Sequence, residues 1–340
     1  MVSRPAPPAV VSLSRDLPRP RGLPPVLVFL LRRIGRGALV LVVLSMLAFA
    51  MVHLLPGNPV ENLLGPYSTA AQRARLIKQL GLNGPLVTQY LHWVDNALHG
   101  NFGISLSYGV PVRQLIGERL PTTLELSVAA TIVSIAWGVP FGALAAMRRG
   151  KLTDAVARGA TFLGMATPVF AFGVAVVLLF TVVFPRWPTV DYVPFGQNPG
   201  QNLQAILLPA LVMGLPLGST ICRFTRSSML EVYEQDFIRT ALASGSSPLS
   251  ATLRHGIRNA AGPVMTVIGL QLAGLIGQSI LVENVFAIPG IGQLTVTAIS
   301  QSDYSVTQAC VLLLGAVYVV MNLLVDFLRP FVDPRLARSS

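Results

Sequence analysis

Few side chains in these 340 residues are placed to do chemistry, and their spacing argues against most of it. A nucleotide cradle needs GxxxxGK[ST], so that backbone amides and a lysine surround the phosphates. Gly150-Lys151 comes nearest, but Leu152 stands where a hydroxyl is required and Ala145 where the first glycine would be. His53, His92, His99 and His255 have neither metal-ligand spacing nor a neighbouring nucleophile motif. No HExxH, GxSxG or CxxC occurs. Cys222 and Cys310 lie 88 positions apart, which fits packing rather than a disulfide framework or a metal site. These patterns imply no metal, no cofactor and no catalytic residue, with a catalytic pair split between helices left open.

Four carboxylates, Glu125, Asp154, Glu283 and Asp326, each fall near the end of an apolar run. There a side chain can snorkel to water, or a helix terminus can interact with it. Asp154 stands near a helix N-terminus, where the dipole favours a negative charge. A proton-coupled transporter would want a carboxylate in the middle of a span. No run holds one.

What must position these residues is a set of membrane helices. The chain is 52% hydrophobic and 11% charged, against roughly 25% charged in soluble domains. Uncharged runs cover 37–55, 126–147, 159–185, 203–222, 259–282 and 304–325, each close to the roughly 20 residues that cross a bilayer core. Six spans put both termini on one side. Of the 25 basic residues, 23 of them Arg, nineteen fall on the side of the termini and six on the other. The positive-inside rule then makes the termini cytoplasmic, and the net charge of +11 reflects topology rather than nucleic-acid binding.

Residues 1–25 are rich in Pro and Arg, lack apolar periodicity and read as a disordered tail. The first external loop, 56–119, contains Leu86, Tyr90, Leu91, Val94 and Leu98 at helical spacing. That predicts an amphipathic helix over 85–99 lying on the bundle or the membrane interface, with Trp93 either an interfacial anchor or, more simply, packed. The second external loop, 186–202, is turn-rich. Pro140, Pro168, Pro209, Pro216 and Pro263 fall inside the spans, where neighbouring helices can satisfy the freed backbone groups. Gly138 with Gly142, and Ala273 with Gly277, are spaced for close helix approach, with ordinary packing inside the chain as the simpler reading.

One charged stretch, 236–263, interrupts the apolar pattern. Arg239, Arg254 and Arg258, with Arg226 upstream, surround the segment TALASG. Each charge would cost about 3 kcal/mol in hydrocarbon, so the stretch must protrude into water. Ala241 and Ala243 favour helix, while Gly245 followed by Ser246-Ser247-Pro248 stops it and starts another. A helix-turn-helix hung between two spans is a rigid lever.

Six segments together resemble a known family. They are HLLPGNP (53–59), GLNGPLVTQYLHWVDNALHGNFGISL (81–106), RLPTTLELS (119–127), FIRTALASG with LRHGIRNA (237–260), VENVFAIPGIGQL (282–294) and NLLVDFLRPFVDPR (322–335). Residues 26–334 are similar to the permease subunits of binding-protein-dependent ABC importers, in the dipeptide/oligopeptide/nickel group. In that family the loop before the fifth span carries an EAA motif. Aligned on Gly245, its first positions are Arg239, Thr240 and Ala241, and His255, Ile257 and Arg258 fall where the consensus has Ile, Leu and Pro. The Glu and Pro of the consensus are missing, and the peptide branch shows this RTA form.

The resemblance implies an all-α membrane protein with six transmembrane helices in the type I ABC importer permease fold. It divides the chain into a cytoplasmic tail (1–25), a first helix with a large extracytoplasmic loop (26–118), a five-helix core containing the coupling loop 223–258 (119–329), and a cytoplasmic C-terminal tail (330–340). The implied partners are a second homologous permease subunit, cytoplasmic ABC ATPase subunits that receive the coupling loop, and an extracytoplasmic substrate-binding protein meeting the 56–119 and 283–303 loops, all within membrane lipid and without nucleic acid. Peptides, nickel chelates, glutathione and some sugars are cargo of relatives. A self-sufficient channel or secondary transporter is the rival reading. It would require inverted repeats or mid-span coupling residues, which the sequence does not show. A reporter enzyme fused after Ser340 should be active only in the cytoplasm; activity confined to the outside would sink the topology.

Overall fold

The computed structural model describes residues 25–54, 69–79, 84–184, 192–245, 247, 250 and 256–332. The Pro/Arg-rich tail, most of HLLPGNP, Arg186, Arg254 and His255 lie outside them, as do the side chains of Ile257, Arg258 and Asp326. Eleven helices with described bounds follow one another: α1 (Pro25–Leu54), α2 (Ala70–Gln79), α3 (Leu86–Leu98), α4 (Val112–Met147), α5 (Leu152–Ala166), α6 (Val169–Val183), α7 (Pro199–Tyr233), α8 (Asp236–Ala243), α9 (Ile257–Val285), α10 (Ile291–Ser300) and α11 (Tyr304–Val332).

Each apolar run is largely helical among the described residues. Among them, four helices are long and apolar enough to cross a membrane alone, and the bent pairs bring the total to six if each is one span. Two boundaries differ from the sequence reading. α4 and α7 run 36 and 35 residues, well past their uncharged cores, because polar residues such as Glu118 and Arg119 continue the helix once it leaves the apolar zone. The segment 283–303 is likewise no open loop, since it contains α10, with Ile291, Leu294 and Ala298 buried.

The third span is the larger correction. Pro168 does not sit inside a helix: it begins α6, and α5 and α6 meet at 103°. Thr167 is extended, as the residue before a proline prefers. Pro121, Pro140, Pro209, Pro216 and Pro263 do remain inside helices. The fifth span also bends, by 47° between Leu272 and Gly274.

The amphipathic helix α3 starts after Pro85 and ends before His99, as its periodicity requires. Its Tyr90 hydroxyl lies 2.8 Å from the Ser45 hydroxyl of α1, and Trp93 packs on Phe49 at 6.2 Å between ring centroids. Leu86, Leu91 and Leu98 stay exposed, so only part of the apolar face rests on the bundle.

α4 and α7 form the central pair. A Cβ added to Gly138 would lie 2.7 Å from the Gly218 carbonyl oxygen, and one on Gly142 2.6 Å from that of Cys222. From the other side, a Cβ on Gly214 would lie 2.7 Å from the Ala130 oxygen, and Gly218 lies beneath the Trp137 indole. The Gly138/Gly142 pair therefore packs within the chain, backbone against backbone. Gly277 differs, since a Cβ there would meet nothing within 4 Å. Gly142→Val should destabilise the chain by about 2 to 3 kcal/mol through overpacking. Gly159→Val, where a Cβ meets open space, serves as the control. Equal melting temperatures of the two variants in detergent would refute the seam.

Candidate functional site

The candidate site is the end of the bundle where α4 stops, α5 starts and α7 runs on into α8. Glu234 and Gln235 make the turn between α7 and α8, and the Ile238 amide donates to the Gln235 carbonyl at 3.1 Å. Ile238 is buried and pins the short helix, while Phe237, Arg239 and Thr240 are exposed and Ala241 is half-buried. Arg239 reaches Asp236 at 3.8 Å, an exposed pair that holds little. α8 thus offers a surface on which a partner could sit.

Gly245 ends this helix with φ +88, a conformation an L side chain rarely adopts. A Cβ there would meet nothing within 4 Å, so the need for glycine is conformational rather than steric. Beyond it the Ser247 hydroxyl accepts from the Ser250 amide at 3.2 Å, as at the start of a new helix. The helix stop expected from the sequence is present at Gly245; the segment in which the second helix is expected lies mostly outside the described residues. The chain then enters α9, whose first two residues are Ile257 and Arg258; how His255 is arranged relative to Arg239, Thr240, Ala241 and Gly245 lies outside the described residues.

An ion pair fixes the helices above α8. Asp154, in the first turn of α5, is 2% exposed and accepts from Arg226 Nε at 2.6 Å, from Arg226 Nη2 at 3.0 Å and from the Gly150 amide at 3.0 Å. A bidentate pair of this kind fixes geometry in two directions. Arg149 adds an exposed contact of 3.5 Å to Glu234. The dipole placement of Asp154 holds, but the snorkelling reading does not: its charge is turned inward onto a guanidinium.

Glu283 is a second correction, at the opposite end. Fully buried, it accepts from Thr123 Oγ1 at 2.9 Å and from the Gln293 amide at 3.0 Å, and Thr123 in turn accepts from the Ile291 amide at 2.8 Å. The carboxylate and hydroxyl together occupy the orphan amides at the start of α10. Gly290 and Gly292 make the room, since a Cβ on Gly292 would stand 2.9 Å from Glu283 Oε2. Nearby, buried Asp303 accepts from the Ser105 hydroxyl at 2.6 Å and the Ser107 amide at 3.1 Å. Glu125 accepts from the Tyr192 hydroxyl at 2.9 Å, and burial pushes that phenol above its ordinary range. Sequence reasoning missed Asp303 and the partners of the other carboxylates. The only signal for Glu283 was its place before the glycine pair of IPGIG.

Asp154→Ala should cost about 3 kcal/mol, because it strands the Arg226 charge. Asp154→Asn keeps an acceptor and should cost less. Thermal unfolding in detergent checks the order, and equal losses would deny the pair its role.

Comparison with known proteins follows the same outline. The family described as binding-protein-dependent transport system inner membrane component matches residues 138–338, and its N-terminal companion matches 26–127. The protein named "Probable peptide ABC transporter permease protein y4tP" from Sinorhizobium fredii is 39% identical over 310 residues, covering 91% of this chain and 99% of that protein. The dipeptide transport system permease protein DppB of Escherichia coli K12 is 37% identical over 337 residues, covering 92% and 99%. In fold, the chain is similar to a subunit in inward-facing structures of the MetNI methionine ABC transporter, with a TM-score of 0.52, 17% identity, and 65% of this chain and 97% of that one covered. By the matched span and these relatives, this chain belongs to the family of binding-protein-dependent transport system inner membrane components.

Proposed function

We propose that this chain is one permease subunit of an ATP-driven importer for di- and oligopeptides, working by alternating access with a second, homologous permease subunit. Cytoplasmic ABC ATPase subunits dock on α8 and the turn that follows it, through Arg239, Thr240, Ala241, Gly245, His255, Ile257 and Arg258. An extracytoplasmic substrate-binding protein delivers the cargo to the segments on the other side, both termini being cytoplasmic. Peptide cargo is supported by the names of the relatives from Sinorhizobium fredii and Escherichia coli. ATP hydrolysis belongs to the partners, since the chain has no nucleotide cradle of its own.

The observation that carries this reading is the form of α8. It is a short helix pinned by the buried Ile238, with Phe237, Arg239 and Thr240 exposed, at the end of a 35-residue helix that is itself packed backbone to backbone against α4. A partner that moves α8 moves α7, and with α7 the centre of the bundle. A self-sufficient transporter has no use for such a projection.

Gly245→Val forces a β-branched residue into the left-handed region, at about 1 to 2 kcal/mol of local strain. Dipeptide uptake by cells expressing the whole importer should fall at least about tenfold while the subunits still co-purify. Undiminished uptake would reject the coupling role. Uptake into vesicles containing this chain alone, without ATP, would favour the secondary transporter.

A further inference from the structure

α5 and α7 line an open cleft of about 620 Å³ that the transport reading does not use. Its lining is divided by chemistry. Arg158, Arg223 and Arg226 supply one part, and Ala157, Phe162, Met165 and Ala166 the other. Among the described residues, Asp154 is the carboxylate paired with these guanidinium groups. It is committed to Arg226 at 2.6 Å and meets Arg158 only at 3.8 Å, where the arginine side chain is 62% exposed. The Arg223 guanidinium stands 5.3 Å from the Phe224 ring centroid. The rim therefore carries a surplus of positive charge from groups that can present planar, bidentate donors to an oxyanion.

The apolar wall shows what kind of anion fits. Phe162 is 72% exposed and Met165 43%. In a membrane chain an exposed apolar face of this kind suits acyl chains. The cleft stands at the end of the bundle that carries Arg148, Arg149 and Lys151, where the spans give way to basic turns. A phosphate there would sit at headgroup depth, and basic pockets between membrane helices suit anionic headgroups.

We propose that this cleft binds an anionic phospholipid, with Arg158 and Arg223 on its phosphate and its acyl chains along Phe162 and Met165. A bound lipid would brace α5 against α7 beside the Asp154–Arg226 pair.

Native mass spectrometry of the full chain in non-ionic detergent, titrated with phosphatidylglycerol or phosphatidylcholine of identical acyl chains, tests this. The unaltered chain should retain phosphatidylglycerol about tenfold more tightly. Arg158→Gln combined with Arg223→Gln should abolish the preference, Arg158→Lys with Arg223→Lys should keep most of it, and Arg113→Gln at the other end of the bundle should leave it unchanged. None of these substitutions removes Asp154 or Arg226. Equal retention of the two lipids by the unaltered chain would overturn the proposal without any variant, as would a preference that survives the double glutamine change. Displacement of the lipid by equimolar dipeptide or inorganic phosphate would assign the cleft to a soluble anion and overturn it equally.

Discussion

The close approach of α4 and α7 is the constraint on which the other elements depend. Four glycines remove the side chains that would hold the two backbones apart, so carbonyl oxygens of one helix lie where a Cβ of the other would otherwise be. In hydrocarbon there is little hydrophobic drive between helices, and such contact supplies dispersion in its place. Each helix is about 50 Å long at 1.5 Å per residue, beyond the roughly 30 Å of a bilayer core. Both ends therefore project from the bilayer as parts of one body. α8 joins that body after a two-residue turn, so its position is set by the seam rather than by loop preferences.

Charge is confined to the two ends of this body, where it acts as fastening. At one end Asp154 ties α5 to α7 through Arg226. At the other, Glu283 and Thr123 hold the start of α10 against α4, and Asp303 holds the 105–107 turn against the start of α11. Each carboxylate is satisfied by several donors, which a buried anion requires. A mid-span carboxylate would lack such donors, and the apolar runs contain none.

Much of this was legible in the residues. Exclusion of charge from hydrocarbon located the apolar helices, the 3.6-residue period located α3, and a glycine after TALAS located the end of α8. Three things were not. Pro168 stands at a break between helices while Pro140 and Pro209 remain inside theirs, a difference that no local pattern records. Glu283 sits at the end of an apolar run just as a snorkelling residue would, and only its contact with Thr123, 160 positions away, reveals that it is buried. The Gly138/Gly142 spacing was visible, but its counterpart, Gly214 with Gly218, acquires meaning only when the two helices are side by side. For the site, Gly245 could be read because its requirement is local, whereas Asp154 could not be matched to Arg226 from sequence distance alone.

These contacts also identify where the bundle can move. α5 is fastened to α7 by the buried ion pair, while α6, beyond the break, packs its Gly173 against Val285 and Phe286 at the end of α9 as well as against Val212. The 103° bend at Thr167–Pro168 thus separates a helix that must follow α7 from one that also answers to α9. Bending a continuous helix at that point would break backbone hydrogen bonds in an apolar medium, at several kcal/mol each. Proline has already removed the donor, and Thr167 is already extended, so rotation there breaks no helical ladder. The joint thus lies where the ladder is already interrupted, between a helix fastened to α7 and one that also packs on α9.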